Sequence, residues 1–133
     1  MCIFCEIAKG NIPCHKLYED DSVIAFFDIN PTSYGHALVI PKEHYDSFLT
    51  CPASTLSHVL EVAQTLANQL KTNLNCDGIN ILSNVGETAG QTIPHFHVHI
   101  IPRYEDSLKD NVQISFGEIG SLDFEALLAN TTR

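Results

Sequence analysis

A row of three histidines in the second half of the chain constrains the fold more than any other feature. Histidine fills every second position of the segment His95, Phe96, His97, Val98, His99 and Ile100. Side chains two residues apart on a β-strand project from the same face at a spacing of about 6.6–6.8 Å. The pattern therefore predicts a strand over residues 95–101, with three imidazoles on one face and an apolar face that packs beneath another layer of structure.

Two kinds of chemistry use such a row of imidazoles. Neutral imidazoles bind Zn²⁺, and His, with an unperturbed pKa of about 6.5, is suited to nucleophilic and acid–base catalysis near neutral pH. The row itself contains no carboxylates, which a metal-dependent hydrolase usually adds, and the next acids are Glu105 and Asp106. Gln91 and Thr92 come just before the row, next to Gly90. This composition favours a phosphate-binding loop over a catalytic metal site.

The rest of the chain predicts one layer of antiparallel strands and one layer of helix. Apolar residues at i, i+3, i+4 and i+7 predict one long amphipathic helix over residues 53–74. Runs bounded by turn residues predict strands over 16–19, 22–27, 36–40, 78–82 and 95–101. Shorter helices are predicted over 3–9 and 122–129. We therefore expect an α+β fold, a five-stranded antiparallel sheet with one long helix and short terminal helices.

Length and charge narrow the classes of partner. A chain of 133 residues is of the size of one domain, so we expect residues 1–133 to form a single domain. Seven Lys and Arg against 16 Asp and Glu give a net charge of −9, which disfavours binding to nucleic acid or to anionic membranes. Nothing in the sequence is apolar for about 20 residues, so no membrane span is expected. The first residues lack the pattern of a signal peptide, and we expect a cytoplasmic protein.

Two of the five cysteines form a motif. Cys2 and Cys5 are spaced as C-x-x-C, while Cys14, Cys51 and Cys76 are isolated and fit small buried apolar residues. The motif is compatible with a redox pair, with ordinary core cysteines, or with half of a structural Zn²⁺ site. A zinc site needs two further ligands, for which His15, His44, His58 and His95 are candidates.

Taken together, these segments resemble the histidine triad (HIT) nucleotide-binding family. The stretch from His95 to Ile101 matches the pattern His-φ-His-φ-His-φ-φ, in which φ is apolar. Further segments look like the family in the same order: Ile3-Phe4, residues 18–21, residues 25–28, residues 35–42, and Asn84 through Thr92. The resemblance covers about residues 1–104 and leaves 105–133 as an unassigned extension. It is strongest to the Hint branch and its bacterial relatives.

The resemblance implies an activity and the residues that carry it. The Hint branch cleaves purine nucleoside 5′-phosphoramidates through a covalent nucleotidyl-histidine, for which no metal is required. His97 would be the nucleophile, His99 and Thr92 would stabilise the phosphoryl group, and His36 would support His97. Two alternatives stay open: a dinucleoside polyphosphate hydrolase of the Fhit type, and a nucleotide-binding interaction module with negligible turnover.

The resemblance also implies a nucleotide site, a metal and an assembly. Asp28 would accept hydrogen bonds from the ribose, and Asn84, Gln91, Thr92, His97 and His99 would lie around the phosphate. An apolar slot for the purine would be formed by Ile3, Phe4, Ile7, Phe26, Phe27 and Ile29. Bacterial relatives imply a structural Zn²⁺ on Cys2, Cys5, His44 and His95. The family pairs as a homodimer, here through residues 53–74 and 79–83.

Overall fold

A five-stranded antiparallel sheet is the centre of the computed structural model, which describes residues 1–132. The strands are β1 (Lys16–Glu19), β2 (Val23–Phe27), β3 (Ala37–Pro41), β4 (Gly78–Leu82) and β5 (Val98–Arg103), in the spatial order β1-β2-β3-β5-β4. The helices are α1 (Ile3–Ala8), α2 (Ala53–Leu74) and α3 (Phe124–Thr131), with a 3-10 turn over Glu87–Ala89. The predicted α+β architecture is confirmed.

Helix α2 covers one face of the sheet. Its apolar stripe, which includes Val59, Leu66 and Leu70, packs against the alternate residues of the strands. The residues of the sheet and of the segment just before β5 that lie on this face are Val23, Ala25, Ala37, Val39, Phe96, Val98 and Ile100. The apolar half of the histidine row therefore lies under α2, as the alternation predicts, and the imidazoles are left on the opposite face.

Helix α1 packs on the histidine face. The alternation of strands β2 and β3 turns a second apolar set toward it, and α1 adds two buried side chains: the cluster consists of Phe4, Ile7, Ile24, Phe26, Leu38 and Ile40. Cys2, the residue before α1, caps the helix by accepting a hydrogen bond from the backbone N–H of Cys5. This packing brings the C-x-x-C motif next to the first histidine of the row.

The strand that carries the histidines begins later than predicted. β5 starts at Val98, so only His99 of the three histidines lies within it. β3 ends at Pro41, which would stand opposite Phe96 and has no N–H to donate to a ladder. The backbone N–H of Phe96 donates instead to the carbonyl of Tyr45. The segment from His95 to His97 is therefore held by the loop after β3 rather than by a neighbouring strand.

The extension after β5 is largely solvent-exposed. Arg103 and the backbone N–H of Tyr104 both bond the carboxylate of Asp110, and this fixes the beginning of the extension. Beyond it, large apolar side chains are exposed at Leu108, Phe116, Ile119, Phe124 and Leu128. None of the helices within residues 1–132 has the length and apolarity needed to cross a membrane.

Candidate functional site

His97 is buried and held in one tautomer. Its Nδ1 lies 2.7 Å from the backbone carbonyl oxygen of His95. A carbonyl oxygen only accepts, so Nδ1 carries the proton and Nε2 keeps a free lone pair. Burial lowers the pKa of His97, which keeps the ring neutral and nucleophilic at neutral pH. The ring of Phe4 packs edge-on against it at 5.1 Å between centroids.

A chain of hydrogen bonds also fixes the tautomer of His99. The backbone N–H of Thr32 donates to Nδ1 of His36, so Nε2 of His36 carries that ring's proton. This Nε2 lies 3.0 Å from Nδ1 of His99 and donates to it. The proton of His99 is therefore on Nε2, a free N–H donor. The ring centroids of His97 and His99 are 4.9 Å apart, so an imidazole with a free lone pair and one with a free N–H are neighbours.

Burial keeps the other two imidazoles of this group neutral as well. It is the main cause that lowers the pKa of His99, to about 4, with the neighbouring His97 and His36 as further causes. Burial likewise lowers the pKa of His36, against the opposing charge of Asp28. The Asp28 carboxylate is 3.7 Å from Nε2 of His36, and its other oxygen accepts from the backbone N–H of Asn30.

The six residues predicted to form the purine slot do not all lie on one face. Phe4, Ile7 and Phe26 belong to the cluster on the histidine face. Ile3 and Ile29 are 40% and 74% exposed. Phe27 packs instead against the cluster beneath α2, because neighbouring residues of a strand project to opposite faces. The structure therefore separates Phe27 from Phe26.

A glycine-containing loop runs from Asn84 to Gly90 on the way to the histidine row. Gly86 and Gly90 have φ values of 84° and 98°, which favour glycine. The Asn84 amide donates to the Gly90 carbonyl, and Thr92 is exposed. Gln91 bonds to protein groups on both ends of its amide: Oε1 accepts from the N–H of Gly86, and Nε2 donates to carbonyls of Asp46 and Ile93.

Cys2, Cys5, His44 and His95 converge beside this site. One ligand atom from each residue lies within 4.8 Å of the others. Nδ1 of His95 is 3.4 Å from the sulfur of Cys2, and Nδ1 of His44 is 3.3 Å from that of Cys5. Zn–S and Zn–N bonds of 2.3 and 2.0–2.1 Å give tetrahedral S···N edges of about 3.6 Å. The four residues therefore have the spacing of a tetrahedral metal site.

The positions of the protons support a metal at this cluster. Nε2 of His95 lies 2.8 Å from the carbonyl oxygen of Pro41, and Nε2 of His44 lies 2.9 Å from a carboxylate oxygen of Asp46. Both Nε2 atoms donate to these acceptors, so both Nδ1 atoms turn lone pairs toward the thiols. Imidazole ligands oriented by a carbonyl or a carboxylate are usual around protein-bound metals. The donor set fits Zn²⁺.

In a second group of possible ligands, the positions of the protons do not fit a metal site. Asp28, His36 and His99 also offer atoms within 4.8 Å of one another. A metal there would need the lone pair of Nε2 of His36, which would move the ring proton to Nδ1. That nitrogen already accepts the N–H of Thr32, and two donors would then face each other. The arrangement fits a hydrogen-bonded relay rather than a metal site.

Three residues that position this site were missed by the sequence analysis. Thr32 orients His36 through its backbone N–H. The hydroxyl of Ser83 donates to the carbonyl of His97 at 2.7 Å. Both residues lie just beyond Leu82 and His99, the last pair between β4 and β5. Asp46 accepts from His44. The backbone contact of Thr32 has no residue-type signature, and the side chains of Ser83 and Asp46 are common surface types, so the sequence carries no signal for them.

The fold and the site together define a histidine-triad protein with an adjoining group of residues whose spacing fits a metal ion. We call this group, Cys2, Cys5, His44 and His95, the metal-ligand cluster. The model of the HIT domain family matches residues 9–106, and the chain belongs to this family. An uncharacterized HIT-like protein of Methanocaldococcus jannaschii is 44% identical over 128 residues, 96% of either chain. A crystal structure of a HIT family protein from Bacillus anthracis has 40% identity and a TM-score of 0.90, over 98% of this chain and 92% of that one.

Two further relatives have names that state an activity. Adenosine 5′-monophosphoramidase HNT1 of Candida albicans is 39% identical over 110 residues, 80% of this chain and 72% of that protein. Adenylylsulfatase HINT3 of Arabidopsis thaliana is 43% identical over 104 residues, which are 78% of this chain and 53% of that protein. The family therefore contains members that are named as hydrolases of adenosine 5′-phosphate conjugates.

Proposed function

We propose that the protein hydrolyses purine nucleoside 5′-phosphoramidates, or related conjugates of AMP, through a nucleotidyl intermediate on His97. The observation that carries this proposal is the free Nε2 lone pair of His97. The ring is neutral, its proton is held on Nδ1 by the His95 carbonyl, and a donor N–H of His99 is its neighbour. An activated nucleophile beside a fixed donor is the arrangement that covalent phosphoryl-type transfer requires.

The chemistry follows from these atoms. Nε2 of His97 attacks the α-phosphorus, forms an N–P bond and expels the amine, whose nitrogen takes a proton relayed by neighbouring His and Thr side chains. The imidazole then carries positive charge, which the His95 carbonyl stabilises through the Nδ1 proton. His99 and Thr92 stabilise the charge on the phosphoryl oxygens. Water then attacks the phosphorus and gives a proton to the relay, which replaces the one that the amine took; the N–P bond breaks, and AMP and free His97 are released.

The nucleotide is held by groups on the histidine face. The Asp28 carboxylate accepts hydrogen bonds from the ribose hydroxyls, and the cluster that includes Phe4, Ile7 and Phe26 forms the floor of the purine slot. The exposed Ile3 and Ile29 close its rim. In support, both relatives with stated activities are named for adenosine 5′-phosphate conjugates, although they differ in the leaving group.

The test is the release of AMP from adenosine 5′-phosphoramidate by the purified protein. We expect turnover in the wild type, loss of more than about 10³-fold in His97→Ala, and wild-type rates in His15→Ala, whose histidine is exposed and belongs to neither group of possible ligands. Faster cleavage of a diadenosine polyphosphate would favour the Fhit-type alternative. Binding of AMP without turnover of either substrate would identify an interaction module and refute the proposal.

We further propose that Cys2, Cys5, His44 and His95 hold a structural Zn²⁺. A zinc ion there would join α1 to the segment that begins the histidine row. Metal analysis of protein purified without a His tag should give about one zinc per chain, and near zero in Cys2→Ser/Cys5→Ser, with lower thermal stability and reduced activity. Zinc-free wild-type protein whose melting temperature does not change on chelation would contradict this assignment.

A homodimer through α2 and β4 is part of the same proposal. β4 is an edge strand of the sheet, and exposed edges are usually covered. Between β4 and α2 runs an open groove lined by Leu60, Ala63, Ala67, Ile79 and Ile81 among others. Leu60 and Ile81 are 43% and 52% exposed. Exposed apolar side chains flanked by polar ones, here including Glu61 and Lys71, are typical of a protein–protein interface.

A further inference from the structure

The amide of Gln91 is fully used within the protein. Its two Nε2 hydrogens are given to the carbonyl of Asp46 at 2.7 Å and that of Ile93 at 3.2 Å. Its Oε1 accepts the backbone N–H of Gly86 at 2.9 Å, and its own N–H donates to the Gly86 carbonyl at 3.0 Å. Gln91 has no hydrogen left to donate to a phosphate. Its geometry is that of a residue that fixes the loop of residues 84–90.

The hydrogen bond from Gln91 to Asp46 leads on to the metal-ligand cluster. Asp46, whose side chain is 77% exposed, accepts a hydrogen bond from Nε2 of His44 through its carboxylate, while its carbonyl accepts from Gln91. Nδ1 of His44 faces the sulfur of Cys5. A continuous set of bonds therefore runs from Cys5 through His44, Asp46 and Gln91 to the backbone of Gly86.

We propose that the metal-ligand cluster fixes the loop of residues 84–90 through His44, Asp46 and Gln91. Asp46 and Gln91 are then positioning residues: they act on the nucleotide through the loop and do not contact it. An occupied cluster holds His44 in one orientation, His44 anchors the turn that contains Asp46, and the Asp46 carbonyl holds the Gln91 amide against Gly86. The effect on catalysis rests on the proposed function, whereas the effect on the order of the loop does not.

Asp46 is the sharpest place to test this connection. Asp46→Ala removes the acceptor for His44 but keeps all four cluster ligands and the backbone carbonyl that Gln91 uses. Asp46→Asn keeps an acceptor oxygen and should restore the bond. His15→Ala is the control, since His15 is an exposed histidine outside both clusters. At an exposed position, neither change at Asp46 removes buried packing.

The measurement is amide hydrogen exchange of Gly86 by NMR, on zinc-loaded protein with no nucleotide added. Loss of a hydrogen bond of about 1 kcal/mol corresponds to about fivefold faster exchange. We expect this acceleration in Asp46→Ala with zinc content still near one per chain, in Gln91→Ala, and in wild type after chelation. Asp46→Asn and His15→Ala should exchange like the wild type. Unchanged exchange of Gly86 in zinc-loaded Asp46→Ala, or in chelated wild type, overturns the proposal.

Kinetics separate this inference from the proposed function. If adenosine 5′-phosphoramidate is cleaved, kcat/KM should fall about tenfold in Asp46→Ala, as is usual on loss of a group that orients a metal ligand, and recover in Asp46→Asn. Absence of any turnover in the wild type refutes the proposed function and leaves the exchange result as it stands. Turnover that persists with an unaltered Gly86 amide in Asp46→Ala refutes only the connection described here.

Discussion

The backbone carbonyl of His95 and Nδ1 of His97 lie 2.7 Å apart, and this contact links two sites through one residue. The main chain of His95 fixes the tautomer of the proposed nucleophile. Its side chain, buried completely, donates from Nε2 to the Pro41 carbonyl and turns Nδ1 toward the sulfurs of Cys2 and Cys5. His95 therefore influences the proposed reaction through the tautomer of His97, without contacting the substrate.

Substitution of His36 should lower the rate of the reaction more than the affinity for nucleotide. In His36→Ala, Nδ1 of His99 loses its donor, so the proton of His99 is no longer confined to Nε2 and the donor beside His97 is lost in part. Fixed donors and proton relays of this kind contribute about 10²–10⁴-fold. We expect kcat to fall by about 10²-fold and the Kd for AMP, measured by calorimetry, to change less than threefold. Equal losses in both would indicate that His36 holds the nucleotide rather than the tautomer.

Acidification should destabilise the protein between pH 6.5 and about 4. Burial lowers the folded-state pKa of His99 to about 4, from 6.5 in the unfolded chain. In this window the unfolded chain therefore binds more protons, and stability falls as the pH falls. The contribution of His99 is of the order of 2 kcal/mol once its partial exposure is considered. Urea denaturation at several pH values gives the free energy of unfolding as a function of pH. Between pH 6.5 and 4 this free energy should fall less steeply in His99→Asn than in the wild type. An equal dependence on pH in both proteins would contradict the pKa shift.

The two neighbouring phenylalanines of β2 should separate nucleotide binding from folding. Phe26 faces the histidines and Phe27 faces the layer beneath α2. Phe26→Leu removes the aromatic ring that the proposed purine slot requires, so we expect the Kd for AMP to rise about fivefold, a loss near the usual value of an aromatic pair. Phe27→Leu should lower the urea midpoint but leave the Kd within twofold. A higher Kd for AMP in Phe27→Leu but not in Phe26→Leu would indicate that Phe27, and not Phe26, contacts the purine.

The sequence allowed most of the fold and the residue types of the site to be predicted, because both depend on periodicity. Alternation placed Phe96, Val98 and Ile100 under α2, and the 3.6-residue period located α2 itself. The start of β5 was missed because the ladder stops opposite Pro41, a tertiary effect. Phe27 was predicted to line the purine slot because it is aromatic, but the alternation of side chains along β2 turns it to the face opposite that of Phe26. The hydrogen bonds of Gln91 to Asp46 and Gly86 could not be predicted, because both partners are placed by loops that no local pattern predicts.

The glycine before His36 should be among the least replaceable in the chain. Gly35 has φ near 90°, and a Cβ at this position would clash with a methyl carbon of Leu74. Gly10 has φ near 81° with nothing within 4 Å of such a Cβ. Both alanine variants therefore incur the backbone strain of about 1–2 kcal/mol, but only Gly35→Ala also forces Leu74 to move. We expect Gly35→Ala to unfold at lower urea than Gly10→Ala, and equal midpoints would show that Leu74 yields without cost.

A charge placed in the groove between α2 and β4 should separate the proposed dimer into monomers. Leu60 lies on the exposed side of α2 next to the edge strand, and the same groove contains Ile81. Two copies that meet there would bury both side chains, whereas Leu60→Glu would bury an unpaired carboxylate, which costs several kcal/mol. We expect a sedimentation mass of twice the 14.7 kDa chain for the wild type and a single chain for Leu60→Glu at micromolar protein.

A matched substitution tests whether the groove itself is responsible. Leu49 is 74% exposed in the loop before α2 and outside the groove, so Leu49→Glu adds the same charge elsewhere on the surface. This variant should keep the mass of the wild type. Circular dichroism of Leu60→Glu should show an intact helix content, because residue 60 is solvent-accessible in the single chain. A wild-type mass of one chain would remove the dimer from the proposal, and a Leu60→Glu mass of two chains would move the interface to another surface.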